Sequence, residues 1–377
     1  MSGGKISSWT KVKIGDACRV GDGAHGSLQR YDNGIMYLTS KNFKSDGLDL
    51  SKLDYIDEKT YQKYFKENST ALTRPIADDV LFSIIGSIGS PYLVQPHDLF
   101  GISSSVAILR PDTSIIFPKY LFYWIKGQTY QDALNGIKGG VAQGYVSLEM
   151  IRSLPLYYPS LPIQCKIADV LSAYDDLIEV NSRRIRVLEA MAQSVYREWF
   201  GNVDAKSLPR GWEMKKLGEA IELAYGKPLK SDQRISGQYP VYGSAGIVGS
   251  HNEFIVEAPG IVVGRKGNVG SIFWANENFY PIDTTYFVKA PISLYYVFFN
   301  LQTQHFINND AAVPGLSRNQ AYSLPFVIPS KDVLDKFDEF IIPIFQQLNN
   351  LNKRNANLRR TRDLLLPRLV SGAVIIG

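Results

Sequence analysis

The run GRKGNVG places Arg265, Lys266 and Asn268 around two glycines, and PGLSRNQ adds Arg318 and Asn319 further along. Arginine and lysine carry a fixed charge and only donate hydrogen bonds, whereas the asparagine amide both donates and accepts. Together they suit one chemistry, in which cations meet a phosphate backbone while amides and guanidiniums meet the edges of bases. Similar sets recur elsewhere between turn residues. YLTSKNFKSDG offers Lys41, Asn42 and Lys44; GIKGGVAQGYVS offers Lys138, Gln143 and Tyr145; KPLKSDQR offers Lys230, Gln233 and Arg234; VYGSAG offers Tyr242 and Ser244. Any one of these would serve equally on a solvated loop, so the weight lies in the set.

Other chemistries lack their residues. GRKGNVG does not have the GxxxxGK[ST] spacing of a phosphate loop, and its twin SIIGSIG has no lysine. His25, His97, His251 and His305 stand alone, with no second ligand at metal spacing. Cys18 and Cys165 are the only cysteines and offer neither a disulfide framework nor a CxxC site. No nucleophile, base and acid cluster presents itself, nor an Asn-Pro-Pro-Tyr-type motif or a glycine-rich cofactor fingerprint. The reading is therefore of a chain without a catalytic motif, a metal or a bound cofactor of its own.

At 377 residues, 45% of them hydrophobic, the chain exceeds what one core usually serves, so two or more domains are expected. A formal charge of +5 and a pI near 8.9 lean mildly towards a polyanionic partner. The N-terminal segment has no apolar core of a signal peptide, and the runs YLFYWI and LYYVFF are too short to span a bilayer. A soluble, cytoplasmic protein with no membrane contact is expected.

Three anchors recur in the same order. WTKVKIGDA from Trp9 returns as WEMKKLGEA from Trp212, an offset of 203. VLFSIIGSIGS around Gly86 returns as IVVGRKGNVGS around Gly267, offset 181, and LPLYYPS returns as LPFVIPS, offset 170. Such internal repetition predicts two copies of one plan. GIMYLTSKNF, DDVLFSII, VAILRP, YPVYGS, GIVVGR, GSIFWA and TTYFVKA read as short strands, with minor helix around FPKYLFYWIKGQTYQDAL and SLYYVFFNLQTQHFI.

After each LPxxxPS the pattern becomes helical. Steps of four and three from Ile167 pass through Leu171, Tyr174, Ile178, Asn181, Ile185, Leu188, Ala192, Val195 and Trp199. The second copy gives Phe337, Ile341, Ile344, Leu348, Leu351, Asn355, Leu358, Arg362, Leu365 and Leu369. Both are heptad seams interrupted by one asparagine. Ser160 and Ser330 stand as N-caps, Gly201 and Gly372 as stops, and Pro343 should kink the second helix or mark its true start. A seam must be covered, and short connections predict that the helices pair antiparallel within the chain. Each would be about 55 Å long at 1.5 Å per residue, enough to hold two similar domains apart with approximate two-fold symmetry. Duplex DNA, with successive major grooves about 34 to 36 Å apart on one face, is the ligand such a shape would suit.

These residues resemble the specificity subunits of type I restriction-modification systems. LPIQCKIADVLSAYDDLIEVNSRRIRVLEAMAQSVYREWF is similar to that family's first repeat helix, LRRTRDLLLPRLVSGAV to the second, and GQYPVYGSAGIVG with the paired GSIGS and GNVGS turns to its target recognition domains. The resemblance implies a non-catalytic reader of a bipartite target in double-stranded DNA. It implies helices that dock two methyltransferase subunits, which use S-adenosylmethionine, and a further motor and restriction subunit driven by ATP with Mg. The expected fold is α+β, with two β-rich target recognition domains (1–160 and 204–330) and two long antiparallel helices (161–203 and 331–377). A single-chain nuclease or methyltransferase with tandem recognition domains, and a protein-binding adaptor, are the competing readings.

Overall fold

A computed structural model describes residues 9–44, 47–67, 71–86, 88–138, 145–201, 203, 207–309 and 315–374. The chain divides into two compact units, residues 1–179 with 356–377, and residues 180–355.

In the first unit, a strand at Thr10–Lys13 pairs antiparallel with Pro155–Tyr158. The chain then enters a four-stranded sheet in the order Cys18–Asp22, Val106–Pro111, Val80–Ser83, Pro91–Leu93. Its central strands are rich in β-branched and aromatic residues because both faces are covered. Alternation sends Val80, Phe82, Ala107 and Leu109 into a core with Trp124, Tyr120 and Leu121, while Leu81, Val106 and Ile108 face a second core with Tyr37, Phe65 and Ile102. A three-stranded sheet, Asp54–Ile56, Ile35–Leu38, Phe100–Ile102, covers that second side. Asp79, 1% exposed, is held by the forked guanidinium of Arg110, with Nε and Nη2 each donating at 2.8 Å.

The second unit repeats this plan. Glu213–Lys216 pairs with Pro325–Ile328, the four-stranded sheet runs Glu222–Tyr225, Thr285–Lys289, Gly260–Gly264, Ile272–Ala275, and the three-stranded sheet runs Gly246–His251, Tyr239–Gly243, Tyr280–Pro281. Each three-stranded sheet joins one antiparallel and one parallel neighbour to its middle strand. The three sequence offsets map the end pair and the strands at Cys18–Asp22, Val80–Ser83 and Pro91–Leu93 onto their counterparts, and the sheet orders match, so the repeat seen in the sequence is a repeat of topology.

Two helices of 40 residues complete the chain, Leu161–Phe200 and Lys331–Val370. The carbonyls of Ser160 and Ser330 accept their first turns, from Ile163 and Gln164, and from Val333 and Leu334. Pro343 was expected to kink the second helix or mark its start; it does not mark the start. It is exposed, and the helix begins twelve residues earlier and runs through it, losing one backbone donor on a solvated face.

The helix segments run antiparallel inside each unit. In the first, Ile167, Ala168 and Leu171 share a core with Leu369 and Val370, and Arg362 pairs with Asp175, which also accepts from the Tyr123 hydroxyl at 2.7 Å. In the second, Tyr196, Trp199 and Phe200 pack on Phe337. The seam residues Ile167, Leu171, Ile178, Leu348 and Leu351 are buried, and Tyr174, Ile185, Leu188, Val195, Ile344, Leu358 and Leu365 are half-buried. The two seam asparagines meet: Asn181 Nδ2 donates to Asn355 Oδ1 at 2.9 Å, and Asn355 Nδ2 to Ser182 Oγ at 3.3 Å. At 6% and 2% exposure, either amide left alone would cost about 1–3 kcal/mol, so the pair fixes one register.

Candidate nucleic-acid interface

The glycine turns are the same device in both units. Gly86 and Gly267 take φ of +75° and +80°, which suits a residue without a Cβ. The amide of Gly89 returns to the Ser83 carbonyl at 3.0 Å, and that of Gly270 to Gly264 at 2.9 Å. Each turn is stitched to the segment that precedes a short helix. Ile85 bridges Tyr145 and the Val146 amide reaches the Ile84 carbonyl at 3.2 Å; Lys266 bridges Gly315 and the Leu316 amide reaches the Arg265 carbonyl at 2.8 Å. Two stretches that lie far apart in the chain, Ile85 with Tyr145 and Lys266 with Gly315, thereby form one tip in each unit.

In the second unit this stitching sets the turn that carries Arg265, Lys266 and Asn268 beside the segment that leads into Arg318 and Asn319. Ser271 Oγ donates to the Ser244 carbonyl at 2.6 Å, tying that strand end to the turn. Asn268 and Asn319 are exposed, while Arg265, Lys266 and Arg318 are half-buried. Arg265 Nη1 donates to the Asp283 carbonyl at 2.7 Å, and neither Arg265, Lys266 nor Arg318 has a carboxylate at ion-pair distance among the described residues. Lys230 and Gln233 sit exposed on a separate one-turn helix, whose end is fixed by Arg234 Nη1 donating to the Val248 carbonyl at 2.7 Å.

Two of the expected contact residues drop out. Asn42 is 7% exposed and spends its amide on the chain itself, accepting from the Thr39 amide at 2.9 Å and donating to the carbonyls of Asp49 and Lys52. Its neighbours Lys41 and Lys44 are exposed on the loop it holds. Tyr242 is 6% exposed and edge-on to Phe279, a core residue. Lys138 ends the helix Gln128–Lys138, and Gln143 lies outside the described residues.

The first unit dresses the same tip differently. Ile85 and Tyr145, 43% and 39% exposed, stand where the second unit has Lys266 and Gly315. Asp22, accepting from the ring of His25 at 3.1 Å in one tautomer, stands where the second unit has Tyr225. Sequence reasoning missed Ile85 and Tyr225; aligning the offsets 203 and 181 at the strand ends would have singled them out.

Burial pushes the Cys18 thiol up to about 12, leaving it un-ionised and inert at neutral pH. Among the described residues no three His, Cys, Asp or Glu side chains gather as a metal would require, and no helix is long and apolar enough to cross a membrane.

Residues 6–190 and 209–360 match the type I restriction modification DNA specificity domain, so each copy of the repeated plan carries one match. The chain is 24% identical to the type I restriction enzyme MjaIX specificity subunit of Methanocaldococcus jannaschii, over 98% of this chain and 94% of that protein. It is 21% identical to the HindI specificity subunit of Haemophilus influenzae, over 78% and 86%. The crystal structure of the type I restriction-modification S subunit from M. genitalium shares its fold, with a TM-score of 0.63 at 18% identity, covering 96% of both chains. A repeated β-rich plan, two seamed helices and a double family match lead to one conclusion: the chain belongs to the family of type I restriction modification DNA specificity domains.

Proposed function

We propose that this chain is the DNA-reading subunit of a type I restriction-modification assembly and contributes recognition rather than catalysis. One observation carries the reading: both units present the same stitched glycine tip, with different side chains on it. A shared scaffold with divergent tips is what two recognition domains need in order to read two unlike half-sites. In this reading residues 1–160 and 204–330 are the recognition domains, and 161–203 and 331–377 form the helices that set the gap between half-sites. Phosphate contacts from Lys41, Lys44 and Lys230 would fix position, while Asn268 and Asn319 offer amides to base edges.

The helices also expose apolar residues away from their seam. On the first helix these are Val170 and Leu177 within the first unit, and Val180, Val187 and Met191 within the second; Phe340 and Leu364 do the same on the second helix. Water-facing apolar stripes mark partner surfaces, and the partners proposed are two methyltransferase subunits. S-adenosylmethionine, ATP and Mg would then belong to those subunits and to a motor subunit, and the assembly would work on cytoplasmic DNA. Co-expression with a methyltransferase subunit tests this. Leu177→Asp with Val187→Asp is expected to abolish co-purification while leaving the far-UV circular dichroism unchanged; undiminished co-purification would reject the docking surface.

A further inference from the structure

The second unit carries a group of charges that its own fold leaves unbalanced. Tyr225, 48% exposed, ends the strand Glu222–Tyr225. The guanidinium of Arg265 lies 5.0 Å from that ring's centroid and that of Arg318 lies 4.9 Å from it. One arginine comes from the glycine turn and the other from the start of the helix Arg318–Tyr322, so three separate elements converge on one ring. The convergence is built in from below. Tyr286, 1% exposed, lies in register with Tyr225, their centroids 5.0 Å apart, and donates its hydroxyl to the Leu316 carbonyl at 3.1 Å. That bond fixes the segment that delivers Arg318. Arg318 also lies over Tyr322, whose hydroxyl accepts from the Leu223 amide at 2.9 Å.

Each aromatic face attracts one cation. Two cations on one ring also repel each other, since their separation of less than about 10 Å is within a Debye length at 0.1 M salt. No carboxylate lies at ion-pair distance from either to offset that repulsion, among the described residues. At the corresponding positions the first unit holds Asp22, Ile84 and Leu148, of which Asp22 and Ile84 are buried, and none of the three is a cation or an aromatic ring. The arrangement is therefore particular to the second tip and not a requirement of the repeated fold.

We propose that Arg265 and Arg318 form a clamp for the phosphate backbone of the second half-site, with Tyr225 the positioning residue that sets the two guanidiniums at a fixed separation. The proposal rests on the DNA-binding reading and deepens it by naming the ligand group. Guanidinium forks match phosphate oxygens two at a time, and the bound anion removes the repulsion between the two arginines. A clamp on phosphate adds affinity and register without choosing bases.

The test uses the full chain assembled with its methyltransferase partner, with binding to its target duplex followed by fluorescence anisotropy between 50 and 200 mM salt. Arg265→Gln with Arg318→Gln should weaken binding about a hundredfold and make the slope of log K against log salt shallower by about 2, near 0.9 per phosphate. Tyr225→Ala should weaken it about tenfold with a shallower slope, whereas Tyr225→Phe, which keeps the ring, should bind as wild type. Neutral methylphosphonate linkages in the second half-site should weaken wild type and leave the double variant unaffected. An unchanged salt slope together with altered base preference would assign the arginines to base reading and overturn the clamp, as would a Tyr225→Ala protein that binds normally with an unchanged melting temperature. A wild-type assembly with no salt-dependent affinity for its duplex would overturn the DNA reading itself and the clamp with it.

Discussion

Exchanging residues 212–330 for the matching segment of another family member is expected to change the bases recognised in one half of the target and to leave the other half as it was. The segment is closed at its ends, because Glu213–Lys216 and Pro325–Ile328 pair antiparallel, so entry and exit lie side by side. Its contacts with the helices inside the second unit are mainly aromatic: Tyr296 and Phe299 pack on Tyr196, Phe299 also on Phe337, and Trp274, Tyr295 and Phe298 on Phe345, with Ser293 donating to Asp338 and Lys353 pairing with Glu277. A graft that keeps these rings keeps the platform while replacing Tyr225, Arg265, Lys266, Asn268 and Arg318 at the tip. Each mismatched base pair typically costs about 1–3 kcal/mol, so two or three altered positions shift preference by a factor on the order of a thousand or more. Competition between duplexes that differ only in one half-site measures this. A hybrid that loses preference in both halves would mean that the units do not read independently.

Phe337→Ala is the substitution expected to cost the most stability. The ring is fully buried, with centroids of Phe200 at 5.0 Å, Trp199 at 6.0 Å, and Tyr196 and Phe299 at 6.4 Å. It joins both helix segments of the second unit to the β-rich part of that unit, and truncating such a residue costs about 3–5 kcal/mol. Because a chain of two units need not unfold in one step, the readout is amide exchange by segment. Protection across residues 180–355 should fall by roughly a hundredfold or more, while the strands Val80–Ser83 and Val106–Pro111 keep theirs. Equal losses in both units would contradict the division of the chain.

Much of this architecture is legible in local sequence pattern. Heptad spacing from Ile167 and Phe337 gave both helices, since an apolar seam must be covered, and runs such as VLFS and GIVVG gave the buried central strands. The repeated anchors carried the topology, because anchors that recur in the same order mark corresponding elements. What pattern could not carry was the direction of a side chain set by distant partners. Asn42 reads like Asn268 in sequence, yet the carbonyls of Asp49 and Lys52 turn its amide inward. Tyr225 reads as one more strand residue, and only the stitching of Lys266 to Gly315 brings two arginines to its ring. Pro343 reads as a break, but a proline on a solvated helix face gives up a single bond that the packing of Phe337, Ile341 and Phe345 offsets.

The most direct test of the central claim, that this chain supplies a two-part address for chemistry performed by others, is a genome-wide map of methylated adenines in cells expressing it with the methyltransferase subunit proposed as its partner, against cells lacking this chain alone. The account predicts methylation that appears only with the chain, at a motif of two unlike halves separated by a gap of fixed length and unspecified sequence. An unbroken motif, two identical halves, or methylation that persists without the chain would contradict it.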